Sequence, residues 1–141
     1  MNSPHTLIGG KMIKIMWLLK RKPGITFEEF QDHYEKSHSE LGKEYFGHLI
    51  KRYRRNYNDR RILDTTPPSV AVMMVAKQWD YDCITEWEFE DEAALAEVMR
   101  LVTDPEISRI HMEDEEHFLD LNSVRYFLRC DTRDTGVTPA R

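Results

Sequence analysis

Histidine is the side chain best suited to moving a proton near neutrality, because its unperturbed pKa of about 6.5 lies close to working pH. The chain carries six histidines, and the spacing around His38 is the most informative. His38 closes the stretch FEEFQDHYEKSH, eleven residues after Phe27, or about three turns of a helix with 3.6 residues per turn. Phe27, Phe30, Tyr34, His38 and Leu41 then share one apolar stripe, which turns His38 inward. Two roles fit there. The imidazole can transfer a proton to a bound molecule, or it can satisfy the last carbonyls of its own helix, where a positive charge also suits the dipole. His48, at the head of the next strand, can join a site or lie in solvent at a turn. His111 and His117 are six residues apart on a short helix and so face different sides. His117, beside the acidic run EDEE, is the second candidate for acid/base work.

Other residue types extend the constellation. Tyr53 and Tyr57 are two apart on a strand, hence on one face, and could donate phenolic protons to a developing enolate oxygen or simply pack. The segment 51–61 holds six basic residues, of which Arg52 or Arg54 could grip a carboxylate or phenolate if its strand face meets a pocket. Trp17, Trp87 and Phe46, with Met16 and Met99, are candidate pocket walls, core packing being the alternative. HSE (38–40) and HME (111–113) imitate half of a facial iron triad. No HExxH motif or histidine pair at i, i+4 accompanies them, and neither GxGxxG nor GxxxxGK occurs, so no metal and no cofactor is expected.

The elements that position these residues follow from pattern. KMIKIMWLLK (11–20), apolar on both faces and stopped by RKPG, is a central strand. Thr26 and Glu29 form a capping box, with Ile25 and Phe30 as a staple. Strands are expected at 48–57, 82–89 and 123–130, with helices after Glu90–Glu92 (Leu95, Val98, Met99 and Val102 inward) and after the Asp104–Pro105 cap (Ile107, Ile110 and Phe118 inward). The 58–79 segment contains an apolar run, VAVMMVA, that periodicity assigns to neither strand nor helix; it could cover a pocket as a flap. The order is βαββαβ, an α+β ferredoxin-like fold with a four-stranded antiparallel sheet and helices on one face. The uncovered face then calls for a second copy, a two-fold homodimer.

Bulk properties narrow the partners. Residues 11–131 make one domain between a flexible N-terminus (1–10) and a flexible tail (132–141). A net charge of −5, from 20 basic and 25 acidic side chains, argues against nucleic acid. No stretch is long and apolar enough to span a membrane, no secretory leader is seen at the start, and two distant cysteines give no disulfide framework. A cytoplasmic protein is expected.

IKIMWLLKRKPGITFEEFQDHYEKSH, RYRRNY and DEEHFLDLNSVRYF together resemble the EthD-domain family of dimeric α/β-barrel proteins over about residues 11–131. In this resemblance His38 matches the helix histidine, Tyr53 and Asn56 match a tyrosine and an asparagine of the second strand, and Asp114, Glu115, Phe118 and Asp120 match an acidic stretch. Many relatives follow the asparagine with a histidine; here Tyr57 stands in that place. The resemblance implies a pocket between sheet and helices. It also implies a polyketide-tailoring lyase that dehydrates, decarboxylates or cyclises a hydrophobic aromatic substrate without a cofactor. Two further readings stay open. One is a cofactor-free or haem-linked monooxygenase acting on an anthrone-like phenol; the other is a binding protein for a small molecule, without catalysis.

Overall fold

A computed structural model describes residues 12–138. The expected flexible N-terminus (1–10) and the last three residues of the expected tail lie outside the described residues.

β1 (Ile13–Leu19) runs into the turn Lys22–Ile25, where Pro23 and Gly24 reverse the chain; Gly24 sits at φ +93°, a conformation that costs glycine little. The helix that follows comes in three parts. α1 (Phe27–His33) opens on the expected capping box, with Thr26 Oγ1 accepting from the Glu29 amide and the Glu29 carboxylate accepting from the Thr26 amide, both at 3.0 Å. A π-helical turn (Tyr34–His38) then leads into α2 (Ser39–Phe46). A π turn adds a residue to the winding and re-phases everything after it. The buried stripe accordingly runs Phe30, Tyr34, then Ser39, Gly42 and Phe46, and Leu41, placed inward by regular helical spacing, is only half-buried.

β2 (Ile50–Tyr57), β3 (Cys83–Phe89) and β4 (Arg125–Cys130) complete one antiparallel sheet in the order β2-β3-β1-β4. This is the ferredoxin-like arrangement, with both middle strands central and β4 at an edge. Between β2 and β3 the apolar run 68–76 is a helix, α3 (Pro68–Ala76), none of whose residues is buried. The expected flap over a pocket is not formed there, since no α3 residue lines the cavity between sheet and helices. α4 (Glu92–Val102) is capped by Asp91 and α5 (Pro105–Glu115) by Asp104; a 3-10 turn (Leu121–Ser123) leads into β4. No helix among the described residues is long and apolar enough to cross a membrane.

Register fixes which strand residues meet the helices. Ile15 pairs with Trp87, Trp17 with Thr85 and Tyr126, and Tyr53 with Trp87, all on the helix-covered face. The opposite face is more charged than an apolar dimer surface would be. Lys14 pairs with Glu86 at 2.9 Å, and Arg52 lies 3.5 Å from Glu88. Met16, Ile84 and Phe127 share that face with them, since residues two apart along a strand point the same way.

Candidate functional site

Between the sheet and helices α2, α4 and α5 lies a cavity of about 540 Å³, within the range of small-molecule sites. Trp17, Trp87 and Phe46 form its aromatic floor, the two indoles meeting edge to face with centroids 4.9 Å apart. Val98 closes the interior, and Met99, Val102, Met112, Leu121, Tyr126 and Leu128 ring an open mouth where each is exposed. Gly42 marks the close approach of α2 to β2. A Cβ there would lie 3.0 Å from Tyr53 Cε2, tight enough that the ring would have to shift.

Polar groups enter the cavity from three elements. The π turn delivers His38, whose Nδ1 lies 2.8 Å from Asp114 Oδ2. Asp114 also accepts from the Ser37 hydroxyl at 2.5 Å and faces His33 Nε2 at 2.9 Å. Burial alone would raise the Asp114 carboxyl; the hydrogen bonds from His38 and Ser37, with the charges of His38 and His33, outweigh it and hold it at about 2. A carboxylate only accepts, so His38 turns a proton-bearing Nδ1 to Asp114, and in the neutral imidazole the lone pair is then on Nε2. That atom lies 3.9 Å from Glu115 Oε2, and both residues line the cavity. His111 is fixed in the same sense: Nδ1 donates to the Ile107 carbonyl at 2.9 Å, Nε2 is buried without a hydrogen-bond partner among the described residues, and burial lowers its pKa.

The π turn and the sheet each supply a phenol, Tyr34 and Tyr53. Tyr34 Oη lies 2.6 Å from Thr85 Oγ1, and the Tyr53 hydroxyl donates to Tyr34 at 3.3 Å. Burial pushes Tyr53 up to about 12 and Tyr34 well above the usual tyrosine value. Both therefore stay protonated at neutral pH and serve as hydrogen-bonding groups.

Of the residues singled out by sequence, His38, Tyr53, Trp17, Trp87, Phe46 and Met99 line the cavity. Met16, His117, His48, Asn56, Arg52 and Tyr57 do not. His117 is exposed and stacks near His33 at 5.5 Å, outside the lining. His48 is exposed in the turn before β2. Asn56 donates to Glu86 and to the Ile84 carbonyl on the far face, where Arg52 also lies. Tyr57 shares the helix side of β2 but donates to Glu35 at 2.5 Å, away from the cavity. Arg55 grips the same Glu35 with two hydrogen bonds and is not left for a substrate.

Sequence reasoning missed His111, Glu115, Tyr34 and Thr85 as cavity groups. A signal for the first two was present. Counting in steps of four from inward-facing Ile107 reaches His111 and then Glu115, the phase of a helix face. Adjacency to the acidic run pointed instead to His117. Among the described residues, no group of three or more His, Cys, Asp or Glu side chains is arranged to hold a metal ion.

The structure is similar to a crystal structure of an EthD family protein from Bacillus halodurans, with a TM-score of 0.55 and 16% identity over 86% of this chain and 100% of that one. It is also similar to a hypothetical protein of Arabidopsis thaliana (TM-score 0.53, 18% identity, 92% and 95% covered). A hydroxynitrile lyase of Passiflora edulis matches with a TM-score of 0.50 and 9% identity over 88% and 98% of the two chains. At these identities the likeness shows a shared fold. No curated protein sequence matches the chain. The sequence model of the EthD domain matches residues 22–122, a span running from the turn before α1 through both histidine-bearing helices to the approach to β4, and on that match the chain belongs to the EthD domain family.

Proposed function

We propose that the protein is a homodimeric lyase that works without a cofactor on an aromatic, polyketide-type carbonyl compound. The observation that carries this reading is His38, held by Asp114 through Nδ1 at the wall of an aromatic-floored cavity. A ketone lying over Trp17, Trp87 and Phe46 would present an acidified C–H to His38 Nε2. Proton loss moves charge onto the carbonyl oxygen as an enolate, and a phenolic hydroxyl such as that of Tyr53 offers a hydrogen bond to it. Dehydration, decarboxylation and aldol cyclisation share that intermediate. The carboxylate of Asp114 stabilises the imidazolium formed on proton uptake, as an orienting acid does in any base–carboxylate pair.

Hydrogen–deuterium exchange at the α-carbon of tetralone, a bicyclic aromatic ketone, tests the reading by NMR in deuterated buffer. The wild-type protein should catalyse exchange and H38Q should lose it by about 10²-fold or more with its melting transition retained. Equal exchange by both would remove His38 from the chemistry. Support for the homodimer comes from β4, an edge strand with three successive exposed apolar residues, Tyr126, Phe127 and Leu128. An open edge of that kind is a template for pairing unless it is covered.

A further inference from the structure

Glu115 is the last residue of α5 and follows Asp114 directly. Successive helix side chains diverge by about 100°, and these two carboxyls end in opposite surroundings. Asp114 is gripped by His33, Ser37 and His38. Glu115 lines the cavity and makes no side-chain hydrogen bond among the described residues; His38 Nε2 faces its Oε2 at 3.9 Å. The titratable groups around it are His38 from the π turn, its neighbour Asp114 and, across the cavity lining, His111. Burial raises the Glu115 carboxyl above the usual range, His38 opposes this and Asp114 adds to it. The cavity wall thus sets an imidazole and an unpartnered carboxyl side by side, two ionisable groups in unlike surroundings.

We propose that Glu115 is the proton donor of the site, completing an elimination that His38 begins, so that the reaction is loss of water from a β-hydroxy ketone. This rests on the reading of His38 as the base. His38 Nε2 takes the α-proton, and the C–H electron pair forms the enolate. The enolate collapses to a C=C bond as the β-carbon–oxygen bond breaks. The departing oxygen keeps that bond's electron pair, takes the Glu115 proton and leaves as water. The imidazolium and the Glu115 carboxylate then face each other, and passing one proton from His38 to Glu115 restores both. No oxidant, reductant or further reactant enters. Because both groups lie on one wall of the cavity, the hydrogen and the hydroxyl leave from the same face of the substrate.

Three probes separate this inference from the reading beneath it. A β-hydroxytetralone yields a fluorescent naphthol on losing water; a β-acetoxytetralone gives the same product with a leaving group that needs no proton; tetralone itself reports α-exchange alone. E115Q should lose about 10²-fold or more of its rate on the hydroxy compound, and its losses on acetate elimination and α-exchange should be smaller by about 10-fold or more. E115D, which keeps an acid, should recover part of the loss. H38Q should lose all three reactions. Wild-type rates of water loss in E115Q would overturn the role of Glu115 while leaving His38 as the base. A matching loss of α-exchange in E115Q would make Glu115 a positioning residue and overturn it as donor. No α-exchange by the wild-type protein would bring down both readings together.

Discussion

Asp114 sets the orientation of His38 and leaves its own mark on stability. Its folded pKa of about 2 lies below the ordinary aspartate value, so the stabilisation is complete above about pH 4 and is lost as pH falls through the folded pKa. D114N should therefore cost on the order of 1–2 kcal/mol at neutral pH, and the gap to wild type should close as pH approaches 2; urea melts across that range measure it. The same variant should slow tetralone exchange by at least 10-fold, because the imidazole loses the partner that fixes its tautomer. Periodicity was enough to bring His38, Trp17 and Trp87 to attention, since a side chain's face depends on counting alone. It could not find Asp114 as a partner, because that pairing joins helices 76 residues apart in sequence. Nor could it separate Tyr53 from Tyr57: they share a face, and only the crossing at Gly42 and the competing carboxylate of Glu35 send one to the cavity and the other away.

At the scale of elements, the helix holding His38 is secured at its start and re-phased in its middle. Thr26→Ala removes the reciprocal capping box and should cost about 1 kcal/mol, read as a lower denaturant midpoint with an unchanged slope. Gly42→Val should cost more, roughly 2 kcal/mol, since its branched side chain meets the Tyr53 ring; the cavity-facing phenol should move with it, visible in the tyrosine NMR signals. The capping box was legible in the sequence because it is local. The π turn was not, since no residue type in YEKSH announces one, and the cost appeared as Leu41 placed inward in place of Ser39 and Gly42. The apolar run in α3 defeated periodicity for a different reason: it is hydrophobic on every side, and no face of it is buried.

For the whole molecule, strand order and the covered face were within reach of pattern, because the βαββαβ order admits few topologies. The character of the far face was harder to read, since Glu86 and Glu88, each 9% exposed, sit among Lys14, Arg52 and Asn56 rather than in an apolar layer. The proposed homodimer gives this scale its prediction. Phe127→Lys, on the exposed edge strand, should shift sedimentation from dimer to monomer while the monomer's fold persists. A wild-type chain that sediments as a monomer at micromolar concentration would contradict the assembly.

The cavity's mouth and floor are carried by different parts of the chain. Met99, Val102, Met112, Tyr126 and Leu128 are exposed around the opening, whereas His38, Asp114, Tyr34 and Tyr53 are knitted into the packed interior. Exchanges at exposed positions typically alter stability by no more than about 0.5 kcal/mol. The rim can thus drift through many combinations over evolutionary time, admitting differently shaped molecules, while selection on folding alone keeps the proton-handling machinery intact: new specificities need not begin with a loss of chemistry.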